Sequence, residues 1–112
     1  MKKKKRFQRH FRKFRNAQTT GHPQYVYGEN DKKYKVIGIT KASQTNGIPN
    51  IPLSGNPEPH NASPAFIRPK PKTIDKGVEN TRLKGWKFNN HDKMIVQSVI
   101  DSEKKKKTNK KT

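Results

Sequence analysis

Cysteine is absent from the 112-residue chain, which excludes a disulfide framework and thiolate metal sites and agrees with a reducing compartment. Long apolar runs are absent as well: no segment offers the ~18 apolar residues of a membrane-spanning helix, so no integral membrane association is expected. Acidic residues are scarce, with eight Asp and Glu against 27 Lys and Arg, and the formal net charge is +19. Apolar residues make up only 27% of the chain. So little apolar surface can offset the ordering entropy of only part of the chain. The G-x-x-x-x-G-K-[ST] and G-x-G-x-x-G loops are missing, which excludes nucleotide-binding folds that depend on them. The four histidines, His10, His22, His60 and His91, lack the i, i+3/i+4 spacing of a zinc site, so neither metal nor cofactor is expected.

What is present is positive charge, unevenly placed. Residues 1–19 carry nine Lys and Arg with no acid, and residues 102–112 carry six Lys with one Glu. The middle has ordinary globular balance and gathers its apolar residues into short runs. This predicts a basic arm over residues 1–20, one small domain over 21–101 and a basic disordered tail over 102–112. A polyanion is the natural partner of such a chain, with RNA or DNA first. The opening basic run is followed by no apolar h-region from Phe7 to Arg15, so secretion is not expected and a cytoplasmic location is.

Phe7, Phe11 and Phe14 stand at helical i, i+4, i+7 spacing with Arg and Lys between them. The spacing predicts an arm that is disordered or transiently helical, whose Arg6, Arg9, Arg12, Lys13 and Arg15 contact phosphates. The plainer reading is a solubilising tail. Beyond the linker, Tyr25–Tyr27 and Tyr34–Thr40 read as a hairpin, the second strand setting Tyr34 and Val36 on one face and Ile37 and Ile39 on the other. Residues 41–64 read as loop with one short edge strand. Residues 65–67 supply one further strand, and Leu83 with the Trp86/Phe88 pair a last short one. Asn89 or Asn90 caps a helix carrying Met94, Ile95, Val96, Val99 and Ile100. These elements predict a mainly β fold, a small, partly open antiparallel barrel with a C-terminal helix and basic disordered tails.

His22 precedes the first hairpin strand and Thr40 ends the second, so both fall at the open end. A His beside a hydroxyl is an acid/base pair suited to phosphoryl transfer, and Lys41 or Arg68 would stabilise charge on a pentacoordinate phosphate. Read plainly, His22 begins a strand, Thr40 is a β-former and Arg68 is a solvated cation.

The order of segments resembles that of the MazF/PemK toxins. His22-Pro23-Gln24-Tyr25-Val26-Tyr27 matches the family's opening, Glu29-Asn30-Asp31 its turn, and Val36-Ile37-Gly38-Ile39-Thr40, with Ser43 after it, its second strand. Ile51-Pro52-Leu53, residues 63–75 and residues 90–100 follow in order, so the likeness spans about residues 21–101. The resemblance implies an SH3-like barrel that cleaves single-stranded RNA without a metal, the ribose 2′-hydroxyl attacking the adjacent phosphate. It implies His22 and Thr40 in the catalytic positions, and a homodimer and an antitoxin protein as partners. Relatives usually carry Arg where this chain has His22, which keeps proton transfer and loses the bidentate phosphate grip. Nucleic-acid contacts are expected at Lys41, Ser43, Arg68 and Lys70 besides the arm. The competing expectation is a non-catalytic DNA- or RNA-binding accessory protein of a mobile element. A third is a peripheral membrane protein using the Phe7/Phe11/Phe14 face.

Overall fold

The computed structural model describes residues 7–15 and 22–109. Among the described residues the strands are β1 (His10–Phe14), β2 (Pro23–Glu29), β3 (Lys33–Thr40), β4 (Gln44–Thr45), β5 (Ile48–Pro49), β6 (Ile51–Pro52), β7 (Phe66–Ile67), β8 (Lys72–Asp75) and β9 (Asn80–Leu83), followed by helix α1 (Asn90–Asn109). The protein is mainly β with one C-terminal helix. Seven strands form an antiparallel sheet in the order β6-β7-β3-β2-β1-β9, with β8 also paired to β3. The path is open at β6 and β9, so the sheet is not closed into a barrel.

The hairpin of β2 and β3 is the spine. Its turn is held by Asn30, whose Oδ1 accepts the N–H groups of Lys32 and Lys33 at 2.9 and 2.8 Å, an Asx arrangement that ties a short side chain to its own backbone. A bulge between Val26 and Gly28 shifts the register. Side chains alternate across β3 as its sequence predicts, and both faces are buried. Ile37 and Ile39 join Phe11, Tyr25, Ile67 and Phe88 under α1. Val36 packs with Phe14, Val26 and Ile74 on the opposite face, with Phe7, Tyr34 and Val78 at its rim.

The basic arm is corrected over residues 10–14. Residues 10–14 are a strand between β2 and β9, with Phe11 opposite both Tyr25 and Leu83. Residues three apart in a strand point to opposite faces. Phe11 therefore enters the core under the helix while Phe14, fully buried, enters the other. A spacing that mimics an amphipathic helix is here the mark of a strand buried on both sides. Residues 1–6, with Arg6 among them, and residues 16–21 lie outside the described residues.

The C-terminal boundary is corrected too. Asn89 caps α1, its Oδ1 accepting the Asp92 N–H at 2.7 Å, and the helix continues to Asn109 through residues expected as tail. Val96, Val99 and Ile100 face the core, whereas Met94 is 74% exposed. Trp86 and Phe88 belong to no strand. Gly85, at φ +81°, turns the chain after β9, and both aromatics then pack against Phe11 from an irregular segment. The loop of residues 41–64 contains an unforeseen hairpin, β4 with β5, turned by Asn46 (φ 52°) and Gly47 (φ 79°). Positive φ at both central residues is the tight hairpin turn that Asn-Gly favours.

Asp92, 1% exposed, fastens the following loop to the helix. Its Oδ1 accepts the Ser54 N–H and hydroxyl at 2.8 and 2.9 Å and its Oδ2 the Gly55 N–H at 3.2 Å. Burial alone would push its pKa up. The bonds from Ser54, His91 and Gly55 outweigh that and hold it below the usual carboxylate value.

Candidate nucleic-acid interface

The β2–β3 register sets Gln24 opposite Gly38. Continued two residues toward the open end, it brings His22 across from Thr40, and both line the same two adjoining cavities. The two side chains are not hydrogen-bonded to each other. Thr40 Oγ1 accepts the Ala42 N–H at 3.1 Å, which leaves the hydroxyl proton free to be donated. His22 is exposed.

The smaller cavity, about 150 Å³, is cationic: Arg68 and Lys72 line it with Gln24 and Gly38 at its floor. Arg68 is held from both ends. Its backbone N–H donates to Gly38 O at 2.9 Å, and its Nη1 donates to Asn50 Oδ1 at 2.6 Å. Asn50 is buried and also donates through Nδ2 to Ala42 O and Thr45 Oγ1, both at 3.0 Å. One asparagine thus positions the guanidinium and pins the β4–β5 hairpin. Gly38 leaves room for this packing: a Cβ would stand 3.0 Å from Arg68 Cγ and 3.4 Å from Gln24 Oε1, so those side chains would have to give by a few tenths of an ångström.

Lys72 has its pKa lowered, first by burial and then by the Arg68 charge. Among the described residues no carboxylate forms an ion pair with either cation. Gln24 is 2% exposed, and its Oε1 has no hydrogen-bond partner. Two adjacent cations and an unmatched acceptor are costly to hold together. The arrangement suits an anion that also brings a donor.

From this cavity a basic row runs across the sheet. Arg82 is opposite Arg12, Arg12 opposite Gln24, and Gln24 opposite Gly38. Directly opposed residues share a face, so Arg82, Arg12 and Arg68 form a line over four strands. Arg12 is fixed by Asn80 Oδ1 at 2.6 Å and His10 Nε2 at 2.9 Å, with its guanidinium carbon 5.2 Å from the Tyr34 ring centroid. Burial is the chief cause that lowers the His10 pKa, with Arg82 and Arg12 adding to it. Its Nε2 accepts from Arg12 while Nδ1 faces Gln8 O at 2.9 Å.

The larger cavity, about 690 Å³, adjoins the first through His22, Ile39, Thr40 and Thr45, and is walled by Trp86, Ala65 and Glu58. Lys41 lines it as well. Of the expected contact residues, His22, Thr40, Lys41 and Arg68 come together. Ser43 stands beside them, its carbonyl accepting the Asn50 N–H. Arg9 instead reaches Gln97 of the helix at 2.8 Å, Arg15 pairs with Glu79 at 3.5 Å on the surface, and Lys13 and Lys70 are exposed away from both cavities. Sequence reasoning missed Gln24, Asn50, Lys72, Arg82 and Trp86. Only Lys72 carried a local signal, in the alternation Pro69-Lys70-Pro71-Lys72.

Among the described residues no three His, Asp or Glu side chains cluster as metal ligands, and no helix is long and apolar enough to cross a membrane. In comparisons with known proteins, no family model, no curated protein and no solved structure matches this chain.

Proposed function

We propose that this protein binds single-stranded RNA along the Arg82-Arg12-Arg68 row and cleaves it by metal-independent transesterification at the His22–Thr40 rim. One observation carries the reading: an exposed imidazole and a hydroxyl with a free proton border a cavity lined by two cations that form no ion pair among the described residues. In this chemistry His22 takes the 2′-hydroxyl proton, the 2′-oxygen bonds to phosphorus, and the bond to the 5′-oxygen breaks as that oxygen takes a proton from solvent water, the His22 proton returning to solvent afterwards. Arg68 and Lys72 stabilise the charge gathering on the phosphoryl oxygens, and Thr40 donates to one of them. The products are a 2′,3′-cyclic phosphate and a 5′-hydroxyl.

Purified protein is expected to cut unstructured RNA in EDTA, and His22→Ala to abolish the cut while still binding. RNA that is bound and left intact after long incubation would remove the nuclease and leave a binding protein. That second reading draws on the absence of a hydrogen bond between His22 and Thr40. In the toxin setting the partner is an acidic antitoxin lying over the basic row. A short acidic reading frame beside this gene supports it, and its absence favours the accessory role.

A further inference from the structure

We infer that the larger cavity is a nucleobase subsite, with Trp86 as an aromatic wall and Glu58 as an edge acceptor that selects guanine. The inference rests on the proposal that RNA occupies the cationic cavity next to it. The two cavities share His22, Ile39, Thr40 and Thr45 along their common rim. A nucleotide whose phosphate rests on Arg68 and Lys72 therefore has a direct way into the larger one. At about 690 Å³ the cavity has ample room for a nucleoside.

Its lining is amphipathic in the manner a base requires. Trp86 is half-buried and backed by the Phe11 ring, centroids 5.7 Å apart, and Ala65 and Ile39 add apolar surface. A base stacked on an aromatic side chain gains contact without regard to its identity. Identity needs a polar group, and Glu58 supplies it.

The loop bearing Glu58 is tied in place. The Glu58 N–H donates to Asn56 Oδ1 at 2.9 Å, Asn56 Nδ2 to Ser63 O at 3.0 Å, and Asn61 Nδ2 to Glu58 Oε1 at 2.8 Å. Both polar ends of Asn56 are thereby occupied. Glu58 Oε2 has neither a hydrogen bond nor an ion pair among the described residues. An ionised carboxylate only accepts. Guanine offers it two adjacent donors, N1–H and the 2-amino group. Uracil offers one N–H flanked by two carbonyl oxygens that repel it.

Trp86 is the single tryptophan of the chain, so all tryptophan emission comes from the wall of this cavity. Guanosine monophosphate is expected to quench it and to half-saturate at about one-tenth the concentration of uridine monophosphate. Glu58→Gln, which keeps the size and loses one acceptor, is expected to bring the two within about twofold. Should that variant unfold, inosine monophosphate replaces it, since it lacks the 2-amino group and is expected to lose most of the preference. Equal titrations of guanosine and uridine monophosphates would overturn the inference. So would silent Trp86 emission while a labelled single-stranded RNA binds by anisotropy, an outcome that leaves the proposed function standing. If that RNA does not bind the full chain even in dilute buffer, both fall together.

Discussion

Replacing Asp92 by alanine removes the acceptor from four donors at once: the Ser54 N–H, the Ser54 hydroxyl, the Gly55 N–H and His91 Nδ1. Bonds to a charged acceptor contribute about 1.5–3 kcal/mol each, and because Ser54, Gly55 and His91 are exposed, water takes up part of what their donors lose. Such terms are not additive, and the expected loss is about 3–5 kcal/mol, the range for breaking a buried charged network. With a urea m-value of about 1–3 kcal/mol per molar, the midpoint should fall by roughly 2 M. Asp92→Asn keeps one acceptor but turns an amide N–H toward Gly55, and should lose about half as much. The pH dependence has a definite sign. The native pKa lies below the unfolded value of about 3.9, so the unfolded chain binds more protons there. The stabilisation is complete above pH of about 4 and disappears as pH falls through the native pKa. Asp92→Ala should therefore flatten the acid limb of stability against pH. A loss under 1 kcal/mol with an unchanged acid limb would refute the latch, and with it the idea that α1 holds the loop bearing Asn56 and Glu58.

Gln24→Leu removes the unmatched buried acceptor, so urea denaturation should find it as stable as wild type or about 1 kcal/mol more so; RNA affinity by anisotropy should drop in the same protein. Phe14→Ala should cost about 3–5 kcal/mol as a buried aromatic truncation, whereas a value near zero would return residues 10–14 to a solvated arm. Arg68→Ala and Lys72→Ala together should weaken binding equally for all RNA sequences and reduce the slope of log affinity on log salt by about 1.4; an unchanged slope would show that phosphates bypass this cavity.

Several features were legible in the sequence because the physics behind them is local. The alternation of Tyr34, Val36, Ile37 and Ile39 encodes the two faces of β3. The polar Asn30 turn makes the hairpin, Asn89 caps the helix, and the placement of His22 and Thr40 at one end follows from hairpin geometry. The Asn46-Gly47 turn follows the same rules, but the Pro-rich stretch around it reads as loop.

Where the sequence misled, a residue's surroundings decided the outcome. Phe7, Phe11 and Phe14 carry a helical period, and nothing in residues 1–15 tells a helix with one apolar face from a strand with two. The choice falls to β2 and β9, which lie on either side of residues 10–14 and give Phe11 and Phe14 separate cores. The helix likewise continues past Ile100 without a stop signal at residue 101.

What the sequence determined alone was composition and its consequences: excess positive charge, absence of thiols, strand periodicity and the end of the chain that forms a helix. Tertiary structure alone decided which of the many cations matter. Arg82, Arg12, Gln24 and Gly38 are up to 70 residues apart along the chain and align only through antiparallel register. Arg68 and Lys72 meet at one cavity because β7 and β8 both pair with β3, and Asn50 holds the Arg68 guanidinium there. Charge is set residue by residue, but its concentration in one cavity depends on contacts distant in sequence, and those exist only once the sheet has formed.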